Sequence, residues 1–181
     1  MPLDGTKGLA ARTGRPSGKT LALRLLDRRG IAYVEIVFPE TIHDASGVAE
    51  FAGLPPGEVF KTLVVLSLPP EAKPGLILEP ADATLDLKRA AQAMGVKRLE
   101  MAGHAQAEQL TGLKIGGISA LALTHKRWPV FLDRRADLLE TIIVSAGQRG
   151  RNVRLRVADF IDVTGARWIE AARDSPPSPL P

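Results

Sequence analysis

The chain has 181 residues, 45% of them hydrophobic and 4% aromatic, with a net charge of +4 and no cysteine. This length suits one compact domain, and the absence of cysteine excludes disulfides, a thiolate nucleophile and zinc sites built on sulfur. No apolar run approaches the roughly 20 residues of a membrane-spanning helix, and the first twenty residues hold no apolar block of the kind a secretory signal needs. A cytoplasmic protein without membrane association is therefore expected.

The positive charge favours an acidic partner. Scarce aromatics argue against a base-stacking platform, which leaves phosphate contact as the mode for any nucleic acid.

Residues 1–16 lack apolar periodicity and are read as a flexible N-terminus. A single folded domain is expected over 17–172, with a disordered proline-rich tail, RDSPPSPLP, over 173–181. Leu21, Leu25 and Leu26 predict an amphipathic helix stopped by Gly30, and the alternation of Ala32, Val34, Ile36 and Phe38 predicts a strand. A short helix follows over 47–52. The apolar run 59–68 reads as a buried strand with 75–79 as its partner, and 86–94 as a helix closed by Gly95. Next come a strand over 96–101 and a helix over 105–110. Strands are then predicted at 120–124, 130–132, 141–145 and 153–157, and a helical turn over 158–163. This irregular order predicts an α+β fold, a mixed and mainly antiparallel sheet with surrounding helices.

The segment Gly14 to Thr20, GRPSGKT, has three residues between its glycines where a phosphate loop needs four, and no strand precedes it. Ser17 or Thr20 at a helix start explains it more simply. His43, His104 and His125 show no paired spacing, so no metal site is expected. Gly117-Ile118-Ser119-Ala120-Leu121 lacks the last glycine of a nucleophile elbow, which leaves Ser119 as a turn residue or a donor.

Lys61 lies inside an otherwise apolar strand, so it either snorkels to an edge or faces a cavity that receives an anion. The paired Gly116 and Gly117 either let the backbone approach a ligand or form a tight turn. The turn 145–150 can bring Ser145 and Arg149 to the same cleft. Val153, Leu155 and Val157 alternate with Arg154 and Arg156, just after Arg149 and Arg151, which displays two arginines on one strand face, solvated or on phosphate.

In order, VFKTLVV (59–65), DLKRAAQAMGVKRLEMA (86–102), TGLKIGGIS (111–119) and TIIVSAGQRG (141–150) resemble the YbaK family of aminoacyl-tRNA deacylases. That family includes Cys-tRNA(Pro) deacylases and is related to the editing domain inserted in bacterial prolyl-tRNA synthetases. The likeness spans about residues 17–163. It implies hydrolysis of the ester joining a wrong amino acid to the terminal adenosine of tRNA, with neither metal nor cofactor.

By the same resemblance Lys61 holds phosphate or substrate at the 3′ end. Gly116 and Gly117 present the scissile carbonyl to backbone amides, and Ser145 and Gly147 form the loop opposite. Thr62, Ser119, Arg149, Asn152 and Asp133 are implied as substrate-binding, although a turn or cap role fits Asp133 as well. Where relatives remove cysteine, the substrate's own thiol attacks its carbonyl.

Two departures bear on this. Ala120 stands where relatives commonly carry proline, which restores a backbone N–H, and Asn152 stands where some carry an acid. The resulting expectation is trans-editing of a mischarged tRNA, Cys-tRNA(Pro) first, with surface arginines on the acceptor stem and a synthetase such as prolyl-tRNA synthetase delivering the tRNA. Seryl-, threonyl- or alanyl-tRNA as substrate, and a non-catalytic tRNA- or synthetase-binding module, are the alternatives.

Overall fold

Two sheets carry the fold, and the alternation of apolar residues along their strands decides which faces meet. The computed structural model describes residues 18–68 and 73–174. Its elements run α1 (Leu21–Arg28), β1 (Val34–Val37), α2 (Ala45–Ala52), β2 (Phe60–Ser67), β3 (Gly75–Pro80), β4 (Ala83–Leu85), α3 (Leu87–Met94) and β5 (Leu99–Met101). They continue with α4 (His104–Thr111), β6 (Val130–Asp133), β7 (Thr141–Gln148), β8 (Arg151–Arg156), α5 (Val157–Thr164), β9 (Arg167–Ile169) and β10 (Ala172–Asp174).

A five-stranded sheet has the order β5-β2-β3-β6-β9, and a three-stranded sheet the order β1-β8-β7. Strands β2, β3 and β5 pair antiparallel, whereas β6 lies parallel to both β3 and β9. The smaller sheet is antiparallel throughout. A parallel bridge from Val59 to Ile143 joins the two sheets. The expected α+β architecture with a mixed, mainly antiparallel sheet is what the chain forms.

The main core is shared by both sheets. Phe60 and Val64 of β2, Leu76 and Leu78 of β3 and Leu132 of β6 meet Ile142, Val144, Val153 and Leu155 of the smaller sheet, and α1 and α5 close it. The opposite face of the larger sheet packs Val65, Ile77 and Phe131 against Ala90 and Ala91 of α3. A third cluster sets Ile36, Phe38 and Ile143 against Val48 and Ala49 of α2. Helix starts follow the local chemistry of the sequence: Thr20 Oγ1 accepts from the Leu23 N–H at 3.2 Å, and the Asp86 carboxylate accepts from the Lys88 and Arg89 N–H groups at 3.0 and 3.1 Å.

Three expectations need correction. Residues 120–124 form turns rather than a strand: Ala120 to Leu123 are 1–3% exposed, and a short apolar run reads the same whether it is buried as a strand or coiled inside the core. Val157 opens α5 instead of ending a strand. Arg173 and Asp174, read as tail, belong to β10, where the Arg173 guanidinium pairs with Asp86 and Asp174 lies 3.0 Å from Arg135. The remainder of the predicted ends, 1–16 and 175–181, lies outside the described residues.

On the α3 side of the larger sheet, Lys61, Glu79 and Asp133 form a row across β2, β3 and β6, because each is an even number of residues from the apolar residue of that face: four before Val65, two after Ile77 and two after Phe131. Glu79 is 1% exposed. Its Oε1 lies 3.3 Å from Lys61 Nζ, and its Oε2 has no hydrogen-bond partner. Burial pushes both the Glu79 and the Asp133 carboxyls above their ordinary values, with the Lys61 charge opposing the shift at Glu79.

Each of these carboxyls binds its proton more tightly in the folded chain than in the unfolded one. Its contribution to stability is therefore full below the ordinary carboxylate range and is lost as the pH rises through that range towards the folded value. Glu79→Gln removes one such group, so the wild type should lose stability relative to the variant as the pH rises, by at most about 1.4 kcal/mol per pH unit. Urea unfolding of both proteins from about pH 4 to about pH 8 measures this, and a pH-independent difference would contradict it.

Candidate functional site

Strand β2 pairs with β3 from Phe60 to Val65, but its other edge meets β5 only from Val65 to Ser67. Beyond the Ala102 N–H bond to the Val64 carbonyl and the bridge at Val59, that edge is open over residues 60–63, and there a cavity of about 250 Å³ lies between the two sheets. Its walls are mainly apolar, from Ile42, Val48, Phe60, Val64, Ile115 and Ile118. This volume falls just under the roughly 300–1,000 Å³ of small-molecule sites. It suits an aminoacyl group better than a whole nucleotide.

Five of the ten predicted site residues line this cavity: Lys61 and Thr62 on β2, Gly116 in the loop after α4, Ser145 on β7 and Asn152 on β8. Ser145 and Asn152 are direct cross-strand partners, so their side chains arrive together. The Thr62 hydroxyl is buried without a hydrogen-bond partner. The Ser145 hydroxyl accepts from the Gly147 N–H at 3.3 Å.

Lys61 lines the cavity, but its ammonium is engaged elsewhere. Its ammonium donates to the Ala83 carbonyl and pairs with Glu79, while the side chain stays 31% exposed.

The two adjacent glycines do different work. Gly116, at φ +84°, turns the chain and forms part of the wall. Gly117 sits behind it, where a Cβ would stand 2.8 Å from the Arg149 nitrogen, and its N–H donates to the Lys114 carbonyl at 2.8 Å. The amide of Gly117 is thus engaged within the turn.

This loop is pinned at Ile115. The Ile115 N–H donates to Glu108 at 2.9 Å and its carbonyl accepts from Arg149 Nε at 2.6 Å, while Lys114 pairs with Glu108 at 2.9 Å. The Ile115 N–H and then Lys114 hold the Glu108 carboxyl below the usual range.

The other predicted residues lie behind the wall. Ser119 is 1% exposed and accepts from the Ala122 N–H, and Gly147 faces Ala122. Arg149 clamps the glycine loop. Asp133, on the sheet face turned away from the cavity, caps the turn that follows β6 by accepting from the Arg135 N–H at 3.0 Å. Ala120 does not line the cavity either, so its departure from proline alters the turn behind the wall.

Of the arginines expected to reach outward, Arg151 and Arg154 are held internally, whereas Arg156 stays exposed. Arg151, 4% exposed, binds Glu35 at 2.6 Å and the Gly18 carbonyl; Arg154 pairs with Glu58 at 3.3 Å and Arg156 with Asp159 at 3.9 Å. In compensation, the cavity gains residues that sequence reasoning missed, namely His43, Asp44 and His104. They come from separate segments with no motif spacing to betray them.

The model of the aminoacyl-tRNA editing domain family matches residues 39–163, a range that contains all ten candidate residues. A relative from Enterococcus faecalis named Cys-tRNA(Pro)/Cys-tRNA(Cys) deacylase EbsC is 34% identical over 154 residues, 84% of this chain and 92% of its own. Two solved structures share the fold: the hypothetical protein APE2540, with TM-score 0.76, 18% identity and coverage of 84% of this chain and 99% of that one, and a protein described as a trans-editing enzyme for prolyl tRNA synthetase, with TM-score 0.69, 24% identity and coverage of 87% and 99%. With a family model matching most of its length and a relative a third identical along nearly all of its own, the chain belongs to the aminoacyl-tRNA editing domain family and is an aminoacyl-tRNA deacylase.

Proposed function

We propose that the cavity at the open edge of β2 takes the aminoacylated 3′ end of a mischarged tRNA, with cysteinyl-tRNA(Pro) as its leading substrate. The observation that carries this reading is the convergence of Lys61, Thr62, Gly116, Ser145 and Asn152 on one apolar cavity sized for an aminoacyl group. The name of the Enterococcus faecalis relative, with cysteine on both of its tRNA substrates, supports the amino acid.

In this reading the ester carbonyl rests against the Gly116 loop, held in place by Glu108 and Arg149, and a preset loop serves catalysis because no reorganisation is needed as charge develops. Ser145 and Asn152 offer a hydroxyl and a carboxamide that orient the amino acid. Lys61 lines the edge of the wall, and in this reading its ammonium turns from Glu79 and the Ala83 carbonyl to the terminal phosphate or carbonyl when substrate enters. Gly117 keeps the loop close to the 148–149 backbone and does not donate its own amide.

The substrate provides the nucleophile. Its thiol sulfur adds to the carbonyl carbon, the bond to the ribose oxygen breaks, and the thiol proton ends on that oxygen. Water then opens the cyclic thioester to free cysteine. Delivery of the tRNA by a partner synthetase, prolyl-tRNA synthetase first, completes the proposal.

Two outcomes are expected. Release of labelled amino acid from cysteinyl-, seryl-, threonyl- and alanyl-tRNA should be fastest for cysteine on tRNA(Pro), and Lys61→Ala should slow it at least tenfold, about 1.4 kcal/mol of barrier. A Lys61→Ala rate within twofold of wild type would remove Lys61 from the mechanism, and faster release of another amino acid would reassign the substrate.

Gly117→Ala forces a methyl group onto the Arg149 nitrogen. It should lower stability by about 1–3 kcal/mol and slow deacylation as well, read from urea unfolding and the same release assay. Wild-type behaviour in both would show that the loop yields.

A further inference from the structure

Arg149, Arg151 and Arg154 are held by Glu108, Glu35 and Glu58, so apart from the exposed Arg156 the unpaired positive charge lies elsewhere. The sheet register locates it. Leu99 of β5 faces Ser67, Gly75 of β3 faces Val65, Val130 of β6 faces Leu76, and Arg167 of β9 faces Phe131, so these four strands all begin at the same end of the five-stranded sheet.

The chain entering each of them is basic. Lys97 and Arg98 precede β5, Lys73 precedes β3, Lys126 and Arg127 precede β6, and Arg167 is the first residue of β9. Lys73, Lys97, Arg98, Arg127 and Arg167 are exposed. Among the described residues none of the six makes an ion pair; Lys126 lies over the Trp128 ring and Arg167 over the Phe131 ring, which leaves both charges uncancelled. Glu100, Asp162 and Glu170, carboxylates near these residues in sequence, are exposed and pair with none of them. Glu71 lies outside the described residues.

Strand β5 links this basic rim to the cavity. Arg98 and Met101 are three strand residues apart, about 10 Å at ~3.3 Å per residue, and Met101 lines the cavity wall. A strand of RNA with its 3′ end in the cavity therefore has the rim within a few nucleotides. Arg127, at φ 52°, has the only positive φ among the described non-glycine residues and carries its side chain out from the turn ahead of β6.

We propose that this rim binds the sugar–phosphate backbone of the tRNA acceptor end whose 3′ terminus occupies the cavity. The proposal rests on the substrate reading above and goes beyond it by assigning the RNA-binding surface. Phosphate contact without aromatic stacking makes affinity fall steeply with salt, each neutralised phosphate contributing a slope of about 0.7–0.9.

The test compares the full chain with a triple variant, Lys97→Gln, Arg98→Gln and Arg127→Gln, and with a control triple on α1, Arg24→Gln, Arg28→Gln and Arg29→Gln. Binding of uncharged acceptor-stem minihelix RNA is followed by fluorescence anisotropy across salt concentrations. Deacylation is followed on aminoacyl-tRNA and on an aminoacyl-adenosine, which reaches only the cavity.

The rim triple should weaken minihelix binding at least tenfold and flatten the salt slope by about 2–3. It should raise KM for aminoacyl-tRNA with kcat within twofold, and leave the aminoacyl-adenosine rate unchanged. Binding within twofold of wild type with an unaltered slope, or a loss confined to the α1 triple, overturns the assignment. Absence of hydrolysis of every ester by the wild type would sink the proposed substrates, while the minihelix arm would still decide the rim.

Discussion

A β-strand has two edges of backbone donors and acceptors to satisfy, and β2 satisfies one along its length and the other only near its ends. The rest of the site depends on that gap. Were β5 two residues longer, its pairing would run down to residue 63 and fill the space in which Thr62, Ser145 and Asn152 meet. The Val59–Ile143 bridge sets the other limit by tying the smaller sheet to the larger one. The cavity is thus a consequence of strand lengths, with the five predicted residues that line it supplied by three strands and a loop.

Several charges in this molecule are used inward. Glu108 and Arg149 hold the two backbone groups of Ile115 from opposite sides and thereby set the position of Gly116. Arg151 reaches Glu35, Gln148 and the Gly18 carbonyl, and so ties β8 to β1 and to the segment ahead of α1. Glu79 draws the Lys61 ammonium towards the α3 side of the sheet. Partly buried pairs of this sort contribute geometric definition more reliably than net stability. Free positive charge is what remains after these pairings, which is why its location could not be read from arginine content.

Most of the fold was legible because its elements carry strong local signals. The alternation from Ala32 to Phe38, the apolar run that begins at Val59, and Gly95 after 86–94 all correspond to elements that formed. Elements of three residues, such as β4, β9 and β10, are too short for alternation to show. The turn at 120–124 misled because uniform burial erases periodicity. At the site, Lys61, Gly116, Ser145 and Asn152 were legible through their family blocks. His43 and His104 were not, since their meeting depends on tertiary packing alone. Sequence order also could not separate Gly116 from Gly117, or distinguish Asp133 as a cap, because those differences depend on which side of a backbone a neighbour lies.

The cavity wall divides by origin. Lys61, Thr62, Ser145, Asn152 and Gly116 sit on β2, β7, β8 and the pinned loop, where any shift would disturb the core, whereas Phe38, Ile42, His43, Asp44, Met101 and His104 come from residues 38–48 and 101–107 at the periphery. The strand-borne and peripheral parts of the wall therefore come from separable stretches of the chain. Substitutions at positions such as Ile42, Met101 or His104 would reshape the cavity while leaving in place the strands that carry Lys61, Ser145 and Asn152.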